Sequence, residues 1–167
     1  MRYSIKGFSL LECLIALSIL AFTLLGLGRL HINAFHDFSA SQQRTHAVAL
    51  ALDMTERIRA NAGSARAGYY NQFSTQQPST PIAGCDDNVC SPQDFTRYDL
   101  AQWREHFSGL AKQTGSTLPG GIGVVSGDGV NFRVTVMWDS DRSGATGTGC
   151  SGNKSVDLDC FTLTTSL

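Results

Sequence analysis

One carboxylate stands alone in an apolar stretch. From Phe8 to Gly28 the chain has no Lys, Arg, Asp or Pro, and Glu12 is the single formal charge. A charged side chain near the centre of a bilayer costs on the order of 3 kcal/mol on insertion scales. Glu12 therefore has two readings. It lies close to one end of the run and snorkels to the interface, or it needs a cationic partner inside the membrane. A freshly cut N-terminal amine would be such a partner.

The thiols come next. Of five cysteines, Cys13 falls inside the apolar run and reads as a small buried apolar residue. Cys85, Cys90, Cys150 and Cys160 lie further on, and four thiols allow three pairings. Nearness in sequence favours Cys85–Cys90 and Cys150–Cys160, as disulfides in an oxidising compartment. Free or metal-bound thiols are the alternative, but neither pair has C-x-x-C spacing and no His stands close to either.

The other polar residues do not assemble a reaction. His31, His36 and His46 are spaced by five and ten, off a common helical face, and His106 is remote from them. No HExxH, G-x-S-x-G or phosphate-loop pattern occurs. Asp128 and Asp139 sit beside turns, where Asp serves backbone geometry. The segment from Asp139 to Gly144 reads D-S-D-R-S-G, like the opening of a calcium loop, but its twelfth position is Cys150 where a bidentate Glu is required. The expectation is no enzyme, no cofactor and no metal.

These residues need elements to hold them. The apolar run is long enough, at about 1.5 Å per residue, to cross a hydrocarbon core about 30 Å thick. Arg29 to Asn61 contains neither Pro nor Gly, so the helix is expected to continue and to end near Gly63. Ala47, Leu50, Ala51, Met54 and Ile58 form a stripe for packing on a core. Leu30, Ala34, Val48 and Leu52 give a second apolar face, and Phe35 and Phe38 a third, suited to neighbouring helices. Residues 64–84 read as a polar loop. Ser91-Pro92-Gln93-Asp94 starts a helix expected to run to about Gln113, with Leu100, Trp103, Phe107 and Leu110 apolar. Strands are expected at 121–125, at 132–138 with Met137 on the outer face, and at 156–165, with a turn at 127–129 and a polar loop at 140–154. The fold class is α+β, a long N-terminal helix packed on a small antiparallel sheet.

The leader MRYSIK, with Arg2 and Lys6, is followed by GFSLLE. This resembles the class III signal of type IV pilins and their relatives. The resemblance implies that a prepilin peptidase cuts between Gly7 and Phe8 and methylates the Phe8 amine, and that Glu12 pairs with an N-terminus during assembly. A secretory signal would have a shorter apolar core and a small-residue cleavage site after it. Major pilins usually carry a Pro in the membrane half of the helix. Here Arg29 stands near that place, with Gly26 and Gly28 before it, which argues against a bulk major pilin.

AVALALDMTERIRAN (47–61), YDLAQWREHF (98–107), LPGG (118–121) and VTVMWD (134–139) resemble the PilV family of minor pilins, the type IV pilus modification proteins. That resemblance implies a minor pilin that helps initiate pilus assembly with other minor pilins and the major pilin, supporting adhesion and twitching motility. A minor pseudopilin of a type II secretion system is the alternative. The chain divides as leader 1–7, transmembrane half-helix 8–30, amphipathic half-helix 31–62 and periplasmic head 63–167. The positive leader is expected to stay cytoplasmic, with the protein in the inner membrane before assembly and in the pilus after it. Net charge is −1 over 167 residues, and loss of Arg2 and Lys6 takes it to −3, so nucleic acid is not an expected partner.

Overall fold

The computed structural model describes residues 9–77, 85, 90–107 and 118–167. The chain falls into two units, Met1–Ser39 and Ala40–Leu167. Helix α1, Leu10–Ala60, runs through both.

In the first unit every described side chain is exposed, including Leu10, Leu14, Phe22, Leu25 and Phe35. The hydroxyls in this apolar helix are satisfied within it. Ser18 Oγ donates to Leu14 O at 2.8 Å and Thr23 Oγ1 to Leu20 O at 2.8 Å, which lowers the cost of carrying them into lipid. By length and composition α1 can cross a membrane.

In the second unit α1 presents Gln43, Ala47, Ala51, Met54, Thr55 and Ile58 inward. The two alanines leave room for a close approach, and Leu50 packs at the margin. Leu52 and, in the first unit, Phe35 and Phe38 stay exposed. The helix stops at Ala60, three residues before the expected Gly63, because Asn61 turns and a short helix α2, Ala62–Arg66, takes over. Two more corrections fall on the stretch read as a polar loop. Part of it is α2, and Gln72–Ser74 is a strand, β1. Three residues are too few to show a period, so only the pairing partner reveals the strand.

Helix α3 is Pro92–Glu105. Ser91 Oγ accepts from Asp94 N at 3.2 Å and Pro92 sits at the first helical position, as the sequence implies. The expected continuation through Leu110 to Gln113 lies outside the described residues. Strands β2, Ile122–Gly127, β3, Asn131–Trp138, and β4, Asp159–Ser166, complete an antiparallel sheet of order β1-β2-β3-β4. β4 begins three residues later than expected, since Asp157 instead pairs in parallel with Gly147.

Phe132, Val134 and Val136 on β3 share one core with Ala47, Ala51, Met54 and Ile58 of α1 and Trp103 of α3. Trp103 is fully buried, and its Nε1 donates to Leu50 O at 2.9 Å. Gly123 makes this packing possible. A Cβ there would collide with the Trp103 ring and lie 2.9 Å from Phe107 Cζ. Met137, expected on a wet outer face, is buried in a second small cluster with Ile122 and Leu158. The segment before β4 folds over that face and dries it. At the β2–β3 turn, Gly129 takes φ +92°, a backbone region that a side chain disfavours.

Candidate assembly site

Gly7 and Phe8, the expected cleavage and methylation positions, lie outside the described residues. Glu12 lies in the first turn of α1. Its Oε2 accepts from Ser9 N at 3.1 Å, and Ser9 Oγ accepts from Leu11 N at 3.3 Å. Ser9-x-x-Glu12 therefore acts as a capping box, satisfying backbone donors that the first turn leaves open. The S-x-x-E spacing is legible in the sequence. It gives the carboxylate a backbone partner besides any amine, and fixes the acid at the positive end of the helix.

In the second unit the segment DMTERIR supplies one side of a polar cluster. Asp99 of α3 is 5% exposed. It accepts from Arg57 Nη1 at 3.1 Å and from the Tyr70 hydroxyl at 2.6 Å. Arg57 Nε also donates to Asp53 at 3.0 Å, and Nη1 to Gln102 Oε1 at 2.9 Å. Burial disfavours the Arg57 charge, but the bonds and fields of Asp53 and Asp99 outweigh it and raise the guanidinium above its ordinary value. Burial, then the bond to Asp99, pushes the Tyr70 phenol well up. This cluster fastens α1 to α3 and to the turn after α2. Asp99 is buried and Arg57 half-buried, so removing either costs less than the about 3–5 kcal/mol of a fully buried pair. The i, i+4 spacing of Asp53 and Arg57 is legible in the sequence, but that Asp99, Tyr70 and Gln102 join them is not.

The four downstream cysteines form Cys85–Cys90 and Cys150–Cys160. Cys13, in the apolar run of α1, takes part in neither disulfide. In the loop between β3 and β4, Asp139 accepts from Ser143 N at 3.0 Å and Gly144 N at 2.8 Å. Lys154 Nζ lies 3.5 Å from both Asp141 Oδ2 and Asp159 Oδ1, so an ammonium stands between the carboxylates. Among the described residues no three His, Cys, Asp or Glu side chains are placed to hold a metal ion.

Residues 2–28 match the family model of the prokaryotic N-terminal methylation motif. Residues 29–101 match the Tt1218-like model, described as type IV pilin Tt1218. The two matches adjoin, and together they support a type IV pilin carrying an N-terminal methylation motif, a family whose role is structural and not enzymatic. The motif implies processing by a prepilin peptidase and assembly with other pilins. No curated protein and no solved structure matches the chain.

Proposed function

We propose that the chain is a minor pilin of the PilV kind. It waits in the inner membrane with its head in the periplasm, is cut between Gly7 and Phe8, methylated on Phe8, and enters the filament to help start assembly. Adhesion and twitching motility would depend on that filament. The observation that carries this reading is Glu12, one acid in the first turn of a helix whose apolar side chains are all exposed from Leu10 to Phe38. A helix of that kind needs apolar neighbours all round. Its lone carboxylate needs a positive charge, and a trimmed amine supplies one where water does not.

Glu12→Ala, as the sole copy in the cell, tests the mechanism. Leader removal should continue while surface pili fall severalfold, counted by shearing and immunoblot. Undiminished pili would overturn the pairing role of Glu12.

A further inference from the structure

The head carries a groove of about 370 Å³ lined by Thr75, Gln76, Arg104, Phe107, Thr146 and Leu158, among others. Among its described lining residues Arg104 is the one cation. Nη2 donates to Ser74 O at 3.3 Å, and the guanidinium carbon lies 5.2 Å from the centre of the Phe73 ring. Nε is buried with no hydrogen-bond partner, and among the described residues Arg104 forms no ion pair. Burial also lowers the Arg104 pKa.

A half-buried guanidinium without an anion is an uncompensated charge, since a ring face and one carbonyl replace only part of its hydration. The other half-buried arginine among the described residues, Arg57, meets two carboxylates. The groove also offers hydroxyl donors. Thr75 Oγ1 accepts from Gly123 N at 2.9 Å, which leaves its own proton free to give, and Thr146 offers a second hydroxyl. Phe107, Ile122 and Leu158 form an apolar wall. A planar guanidinium flanked by hydroxyls fits a carboxylate through paired N–H···O bonds, and the wall suits a short apolar stem behind it.

We propose that this groove binds a carboxylate, with Arg104 as its anchor and Thr75 and Thr146 as flanking donors. The carboxylate comes either from an acidic side chain of a protein partner or from a small free acid. The test is a titration of the full-length, detergent-solubilised protein, labelled with ¹⁵N, following the arginine Nε–H resonances. The probes are acetate, the capped peptide acetyl-Ala-Glu-Phe-amide, inorganic phosphate and sodium chloride. Arg104→Lys assigns the resonance and removes the fork while keeping the charge, and Thr146→Val probes the flanking donor.

Saturable shifts with acetate and peptide, weakened at least tenfold in Arg104→Lys, are the expected result. Tighter binding of the peptide by tenfold or more points to a protein partner, and equal affinity to a small acid. No saturable shift in the wild-type protein, or tighter binding of phosphate than of either carboxylate, would overturn the proposal. The wild-type titration stands alone if a variant fails to fold.

Discussion

Tyr70 donates its phenol O–H in a hydrogen bond to Asp99, which already faces Arg57, so ionising the tyrosine would set a second negative charge against a buried carboxylate. Its pKa is raised, first by burial and then by that bond. A phenol held protonated in the folded state contributes stability that is fully present below its unfolded value of about 10, and is lost as pH rises through the higher folded value. Of the four tyrosines, Tyr70 should therefore be absent from the ordinary tyrosinate step. Tyr70→Phe and wild type should give equal tyrosinate absorbance between about pH 10 and 11. A smaller amplitude in the variant would show that Tyr70 titrates normally. Residue-scale features were read unevenly from the sequence. The Asp53–Arg57 pair follows a helical spacing and is visible locally. The link from Arg57 to Asp99 spans 42 positions, and the link from Tyr70 to Asp99 spans 29, so no local rule finds them.

The joint between α3 and β2 depends on a missing side chain. Gly123 lies under Trp103 and Phe107, and Gly123→Ala would force a methyl into the indole. Overpacking of this kind costs about 1–3 kcal/mol, so the variant should unfold at lower urea, with an unchanged m-value. The loop before β4 depends on carboxylates instead. Bonds from the Ser151 side chain and backbone lower the Asp157 pKa. Asp139, against some desolvation, is lowered by the Gly144 and Ser143 amides. Depressed carboxylates stabilise above their unfolded values, near about 4, and that contribution goes as pH falls through the lower folded values. Below pH 4 the Gly144 and Ser151 amide resonances should move before those of β3, and simultaneous movement would contradict this. Long elements with a period or a cap, α1, α3 and β3, were legible from residue pattern. β1 was not, because three residues carry no period and its existence depends on pairing with β2. The burial of Met137 is not legible in the sequence, because the covering segment has no pattern of its own.

At the scale of the whole chain, an N-terminal methylation motif and a type IV pilin segment cover residues 2–101 without a break. Maturation should then remove Arg2 and Lys6 and leave Phe8 at the front. Intact mass measurement of the protein from its native membrane should show loss of residues 1–7 and gain of one methyl group, and a chain still starting at Met1 would contradict processing. The disulfides carry a different consequence. They span only five and ten positions; one joins Cys85 to Cys90, just before α3, and the other joins Cys150 in the loop to Cys160 in β4. Rings so short restrain an unfolded chain by about 2 and about 3 kcal/mol. Neither staples the α1–sheet core together, so collapse of the head need not wait for an oxidase. A cell deficient in thiol oxidation should still make heads that are folded at the centre and frayed at the rim.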